Sequence, residues 1–246
     1  MKRRMVFILI AWVCIAQLPV FALTAEEIIG KIDDIQTFST SVSSGEISAK
    51  DRFGVKSSTF KAWTRGTSDS LIEFTSLAEK GQKVLRTKNE LYLFYPDAQE
   101  LIRLQGAALR QSMLGTDISY EDMTGEKDTL AQYTAVLAGQ ETLGTHTCHV
   151  VVLTAKTRSV AYPMQKLWID TQSYVVWKSQ YSTQSGRLLK ELEVLETQEI
   201  SGRLLSRKTK ISDKTRKDTE TTLTITSLEI DIALDPRIFS LENLTW

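Results

Sequence analysis

The feature that most constrains the fold is a long succession of short alternating segments that starts at Val42. From there the sequence consists of runs rich in Thr, Val, Tyr and Trp in which apolar and polar residues alternate. This period of two is typical of β-strands with one buried face. Turn-forming clusters, for example residues 66–69, 184–186 and 201–202, separate the runs too closely for crossover helices. The pattern therefore predicts antiparallel hairpins and a mainly β fold.

Two segments depart from the strand pattern. Thr24 precedes two glutamates in the manner of an N-cap, and apolar residues then recur at helical spacing as far as Phe38. Residues 106–123 contain Ala, Leu and Met residues that favour a short helix ending at Gly115. We therefore expect one amphipathic helix at the start of the domain and a second helical segment midway, where Asp117 would cap the following turn.

The predicted sheet has about ten strands, and both of its faces are partly apolar. In the last strand, residues 221–232, the apolar residues change phase between Ile225 and Leu228, which indicates a β-bulge near Thr226 and Ser227. A curled antiparallel sheet that encloses an apolar interior, with the few helices closing it, satisfies both faces. The predicted class is thus mainly β with few helices, an α+β fold built on a single antiparallel sheet.

The first 22 residues have the composition of a secretory leader. A basic stretch at residues 2–4 precedes a mostly apolar run, which is the pattern of a signal peptide. We therefore expect export, followed by one mature domain over residues 23–246. A lipid-attachment site at Cys14 is the less favoured alternative, because the residue before it is not small. Cleavage would leave Cys148 as a lone thiol, so an internal disulfide could not form.

One short segment contains side chains of the kind that bind metals. His146, Cys148 and His149 lie together, but strand alternation places at most two of them on one face. Zinc sites use three or four protein ligands. The segment therefore predicts a half-buried strand, and we expect neither a metal nor a cofactor.

Three carboxylates lie close together in the middle of the chain. Asp117, Glu121 and Asp122 could serve as acid and base in glycoside hydrolysis. A helix cap and a solvated face explain the same residues equally well. Since no nucleophile motif accompanies them, we expect no enzymatic activity.

Basic residues cluster between Arg207 and Lys217, around a predicted hairpin tip. A solvated loop is one interpretation of this cluster. Docking onto an anionic lipid surface or an acidic partner is the other. Export disfavours nucleic acid as a partner.

The middle of the chain carries a family resemblance. The segments 84–86, 91–96, 102–104 and 106–123 resemble the LolA-like family of outer-membrane lipoprotein-sorting proteins. The likeness extends to nearly the whole of the mature chain through residues 61–66, 167–170, 186–190 and 235–244.

The resemblance implies a fold and a function. The fold is an open, unclosed β-barrel with a helical lid, and its apolar cavity shelters the acyl chains of a lipoprotein that crosses the periplasm. An inner-membrane releasing complex and an outer-membrane acceptor are the partners that such a carrier would meet. The alternative is a periplasmic sensor or envelope scaffold that binds a partner protein or a signalling lipid through the same fold.

The expected cavity lining consists of aromatic and aliphatic side chains on the strands and the lid. These residues are Phe60, Trp63, Phe74, Leu91, Leu93, Tyr95, Leu104, Leu109, Met113, Leu114, Trp168 and Val176. Arg65 is the candidate for a polar contact with the lid.

Overall fold

A computed structural model describes residues 23–87, 90–125 and 127–245. The predicted leader, residues 1–22, lies outside the described residues. Within them no helix is both long and apolar enough to cross a bilayer.

The first helix begins where the sequence predicts. Helix α1 spans Ala25–Gln36, and Thr24 is its N-cap. The Thr24 hydroxyl accepts a hydrogen bond from the Glu27 amide at 3.1 Å, and the Glu27 carboxylate accepts one from the Thr24 amide at 2.8 Å. This capping box satisfies two amide donors that the first turn leaves without helical partners.

Most of the described chain belongs to one antiparallel sheet. Its strands are β1 (Thr40–Asp51), β2 (Gly54–Arg65), β3 (Asp69–Phe74), β4 (Lys83–Thr87), β5 (Glu90–Tyr95), β6 (Glu100–Leu104), β7 (Tyr133–Leu143), β8 (His146–Ala155), β9 (Met164–Asp170), β10 (Val176–Ser182), β11 (Leu188–Ile200), β12 (Arg203–Asp213) and β13 (Glu220–Ile230). Among the described residues they form a 13-stranded sheet in the order β6-β5-β4-β3-β2-β1-β13-β12-β11-β10-β9-β8-β7. Because β6 and β7 end this order without pairing, the sheet is not closed into a barrel.

One face of this sheet is mostly apolar. Directly paired residues of antiparallel strands point to the same face. Followed from strand to strand, such pairs connect Leu93 at one end, through Phe60, Ile47 and Ile211, to Val151 at the other. We call this the inner face.

Two clusters of buried residues cover the inner face. The first, here the lid cluster, includes Ile47, Phe60, Phe74 and Leu93 and is covered by residues 106–124, which we call the lid. The second, here the helix cluster, joins the apolar side of α1 to strands β7, β8 and β9. On the opposite, outer face, the C-terminal residues Phe239 and Leu244 cover part of β3 and β4.

The predicted fold class is confirmed, as an open antiparallel sheet with few helices. The predicted bulge is present too, because the register between β1 and β13 shifts between Ser44 and Gly45, opposite Ser227 and Ile225. The sheet has more strands than expected, since short hairpins such as β5–β6 are hard to separate from loops by periodicity.

The lid differs from its prediction. It consists of 3₁₀ turns at Gly106–Arg110 and Met113–Gly115 and of the short helix α2, Tyr120–Thr124. Ser119, and not Asp117, caps α2. A further short helix, α3 (Thr129–Gln132), leads into β7.

Two glycines should respond oppositely to the same substitution. A Cβ atom on Gly45 would lie 2.6 Å from the Thr224 carbonyl oxygen and 2.6 Å from the Phe60 ring, whereas one on Gly30 in α1 meets nothing within 4 Å. We expect Gly45→Ala to lower the free energy of unfolding by about 1–3 kcal/mol through overpacking. Gly30→Ala should raise it by about 0.5–1 kcal/mol, because alanine is the better helix former.

Urea denaturation of both variants beside the wild type measures these changes. Equal effects of the same sign would contradict the close approach of β1 to β2 and β13.

Candidate functional site

The structure brings most of the predicted lining residues together. Phe60, Phe74, Leu91, Leu93 and Met113 are buried in the lid cluster, and Tyr95, Leu104, Leu109 and Leu114 are half-buried against it. Val176 instead packs in the helix cluster, near α1. The strand residues among these lie on the inner face, and the lid residues press on it from above.

The two predicted tryptophans lie on the other face. Trp63 pairs with Leu71 in a cluster covered by Phe239, and Trp168 packs with Val150 in an outer cluster. A shift of one residue moves a strand side chain to the opposite face, and sequence alone does not fix that parity. Placing Trp63 and Trp168 in the interior was therefore wrong.

Arg65 lies away from the lid. Its guanidinium donates to the Asp69 carboxylate at 2.6 Å and sits over the Phe239 ring, 4.8 Å from its centroid. The prediction of a lid contact is thus corrected. Arg65 lies two residues after Trp63 on β2, so both side chains are on the outer face of the sheet. The arginines that reach the lid are Arg86 and Arg216.

The lid occupies the space over the inner face with its own side chains. Met113 is completely buried, and Ile118 and Tyr120 are at least nine-tenths buried. The cavity left between Met113, Tyr120 and the strands measures about 10 Å³, which is at the lower limit for a single water molecule. In this conformation the lid fills the place where a cavity was expected.

The lid tip adopts a left-handed backbone. Leu114 has φ 53° and Gly115 has φ 74°. Glycine adopts this region freely, but for a leucine it costs about 1–2 kcal/mol. The tip is held in this conformation by hydrogen bonds within the lid, such as that from the Met113 amide to the Ile118 carbonyl oxygen at 2.8 Å, and by contacts from outside the lid.

The first of these contacts is an ion pair with the β12–β13 hairpin. Arg216 donates to the Gly115 carbonyl oxygen at 2.8 Å and lies 3.3 Å from the Asp117 carboxylate, whose side chain is fully buried. Thr219 also donates to Asp117 at 2.8 Å, and the Asp117 amide donates to Thr221 at 2.9 Å. Burial raises the pKa of Asp117 more than these partners lower it.

Two further ion pairs start from neighbouring residues of α2. Glu121 accepts a hydrogen bond from Arg86 of β4 at 2.9 Å. Asp122 pairs with Lys190 of β11 and accepts a hydrogen bond from Tyr162 at 2.8 Å. Burial, and then the nearby Asp122 carboxylate, raise the pKa of the Tyr162 phenol. Adjacent carboxylates thus fasten the lid to opposite halves of the sheet.

The carboxylates considered for hydrolysis are therefore all paired with basic side chains. Asp117, Glu121 and Asp122 each have a cation from a distant strand or hairpin. The sequence shows three acids in a short helical segment, but their partners stand 35 to 99 positions away along the chain, which no local spacing reveals. The geometry assigns them to holding the lid.

The basic cluster also finds acidic partners on the sheet. Lys210 pairs with Glu193, Lys214 with Glu191, and Arg207 with Glu196. These are cross-strand contacts between β12 or its turn and β11. Much of the charge expected at a solvated or membrane-docking tip is thus neutralised within the sheet.

His146 and Cys148 lie on the outer face of β8, whereas His149 has the opposite parity. Cys148 is fully buried, and burial raises the pKa of its thiol to about 11. His146 stacks on Trp177 with ring centroids 4.0 Å apart. Among the described residues, no group of three or more His, Cys, Asp or Glu side chains is arranged to hold a metal.

The sheet and its fastened lid define a class: an open antiparallel sheet whose apolar inner face is covered by a lid. A family model described as "Uncharacterized protein" matches residues 66–246, and the chain belongs to that family. No curated protein matches its sequence.

Three solved structures have the same fold. A DUF1329 family protein from Desulfovibrio piger has a TM-score of 0.83 at 21% identity, covering 89% of this chain and 97% of that one. A putative outer membrane lipoprotein-sorting protein domain from Vibrio parahaemolyticus has a TM-score of 0.80 at 16% sequence identity, and the match covers 89% of this chain and 97% of that one. A LolA superfamily protein from Nitrosomonas europaea has a TM-score of 0.77 at 23% sequence identity, and the match covers 90% of this chain and 100% of that one. The fold of this chain is LolA-like.

Removing Arg216 should loosen the lid without unfolding the sheet. Arg216→Ala deletes the donors to Gly115 and leaves the buried Asp117 carboxylate without its cation. We expect amide hydrogen exchange in residues 112–118 to become about tenfold faster, since hydrogen bonds to charged groups contribute about 1.5–3 kcal/mol and Arg216 is partly solvated.

The matched control is Arg237→Ala, which removes an exposed arginine whose Asp235 partner lies two residues away. It should leave exchange in the lid unchanged. Unaltered lid exchange in Arg216→Ala would show that this ion pair does not hold the lid.

Proposed function

We propose that this chain is a periplasmic lipid-binding carrier that shelters the acyl chains of a lipoprotein during sorting to the outer membrane. The observation that carries the proposal is the continuous apolar inner face, covered by a lid that charged groups fasten at its edges. The likeness of the fold to a putative outer membrane lipoprotein-sorting protein domain from Vibrio parahaemolyticus and to a LolA superfamily protein from Nitrosomonas europaea supports the same proposal.

Sheltering requires apolar surface and no covalent chemistry. Each methylene moved out of water gains about 0.8 kcal/mol, so acyl chains do not cross an aqueous compartment unaccompanied. Non-directional contacts with aliphatic and aromatic side chains also let a cargo leave unchanged. The role therefore needs no catalytic group, and we propose that the protein is not an enzyme.

The lid has to leave the inner face before an acyl chain can bind, because Met113, Ile118 and Tyr120 occupy that place. Exposing three such side chains costs about 5–9 kcal/mol at 1.5–3 kcal/mol each. An acyl chain that buries about ten methylenes gains about 8 kcal/mol. The two quantities are similar, so one chain can replace the lid and the lid can displace the chain.

The proposal includes the setting of the protein. Residues 1–22 would direct export, and residues 23–246 would form one lipid-binding domain. An inner-membrane releasing complex would load this domain, and an outer-membrane acceptor would unload it. The proposed acyl contacts are the predicted lining residues that belong to the lid cluster. These are Phe60, Phe74, Leu91, Leu93, Tyr95, Leu104, Leu109, Met113 and Leu114.

Cargo is the direct test. Native mass spectrometry of the protein purified from its own cells should show masses of acylated lipoprotein or lipid. A sensor or scaffold would copurify with a protein that carries no acyl chain, and that result would contradict the carrier.

A charged lid tip should weaken acyl binding. In the loaded state proposed here, the raised lid tip still contacts the acyl chain, and Leu114→Asp puts a carboxylate at that contact. Aspartate tolerates the left-handed backbone better than leucine does, so the fold should persist. We expect affinity for a fluorescent fatty acid to fall by about tenfold or more, as measured by titration, with circular dichroism unchanged.

The matched control is Leu77→Asp, because Leu77 is 94% exposed in the β3–β4 loop. Its affinity should equal that of the wild type. Equal affinities in all three proteins would remove Leu114 from the acyl site.

A further inference from the structure

A second, polar cavity lies at the edge of the lid. It has a volume of about 420 Å³, within the size range of ligand pockets. Its walls come from β4, from the first 3₁₀ turn of the lid, from α2 and α3, and from the β8–β9 loop. It is thus bounded partly by the lid and partly by the rim of the sheet.

One wall carries a buried cation with an unused donor. Arg86 is 8% exposed, and its Nη1 group donates to Glu121. Its buried Nε atom has no hydrogen-bond partner. Buried donors without partners are rare in folded proteins and call for an acceptor. Arg86 also lines the cavity, so its guanidinium group adjoins the space that a ligand would fill.

Two more arginines stand at the mouth of the same cavity. Arg110 ends the first lid turn and Arg158 lies in the β8–β9 loop, and both are exposed. Among the residues that the structure describes, neither has an acid within ion-pair distance. Three arginines and one carboxylate, that of Glu121, thus line the cavity. Guanidinium groups are suited to phosphate, which they bind through paired hydrogen bonds.

The remaining wall connects the cavity to the apolar interior. Leu109 lines the cavity and packs against the lid cluster, and Val160 lines it and packs against the helix cluster. A ligand with its anionic group at the arginines would therefore have its apolar part next to both clusters.

We propose that this cavity binds a phosphate group, and that the phosphate belongs to the headgroup of an anionic lipid. Arg86, Arg110 and Arg158 hold the phosphate. The assignment of the phosphate to a lipid rests on the proposed carrier function, whereas the anion site does not depend on it.

Glu121 gives this proposal a distinctive consequence. Its carboxylate already forms an ion pair with Arg86, and it repels an incoming anion. A phosphate that takes over Arg86 competes with the contact that fastens α2 to β4. Binding at the cavity therefore favours release of the lid.

The experiment measures binding by isothermal titration calorimetry with three probes. They are inorganic phosphate, dihexanoyl phosphatidic acid below its micelle concentration, and dihexanoyl phosphatidylcholine as the zwitterionic comparison. Wild-type protein should bind the phosphatidic acid most tightly. Arg110→Ala and Arg158→Ala should each weaken it about tenfold, as expected when a charge-assisted hydrogen bond is lost. Glu121→Gln should strengthen it by removing the competing carboxylate.

Arg187→Ala is the matched control, because Arg187 is an exposed arginine on the β10–β11 turn, outside the cavity. Its affinity should not change. The anion site is overturned if the affinity for phosphatidic acid does not change in Arg110→Ala and Arg158→Ala, or if phosphatidylcholine binds with equal affinity. Neither result would contradict the proposed carrier function. Arginine-dependent binding of inorganic phosphate as tight as that of the lipid supports the anion site and counts against a lipid source.

Discussion

The structure depends on the pairing register of its sheet, because that register, bulges included, places apolar side chains on the same face from Leu93 to Val151. Each strand contributes one or two such residues, and no strand could bury them alone. Alternation fixes what the other face displays as well, which includes the ion pair between Glu193 of β11 and Lys210 of β12. A one-residue slip in any strand would interrupt the inner face and the outer charges together.

The lid covers the inner face in a defined position. In the conformation described here, Met113, Ile118 and Tyr120 cover the lid cluster, and ion pairs hold the lid in place. Apolar contacts alone are non-directional and would leave the lid free to shift along the inner face. The charged contacts fix its position, and their cost in desolvation keeps the net gain small. The lid is therefore held in one geometry by contacts of modest net strength.

Much of the fold could be predicted from the sequence, and the reason is local. The capping box at Thr24 and the phase change near Ile225 both act between near neighbours, and the structure has both. The face on which Trp63 lies depends on strand parity. The ion-pair partner of Asp117 lies on a hairpin about a hundred residues away. Local periodicity contains neither, so the inner lining was predicted in part and the contacts that fasten the lid were missed.

The lid lies in the stretch of chain that joins β6 to β7, the two strands at the unpaired ends of the sheet. Its neighbouring acids Glu121 and Asp122 bind β4 on one side of this seam and β11 on the other. Two of the three ion pairs that hold the lid thus also connect the two halves of the open sheet. Separation of these two halves would therefore strain the contacts that keep the lid in place.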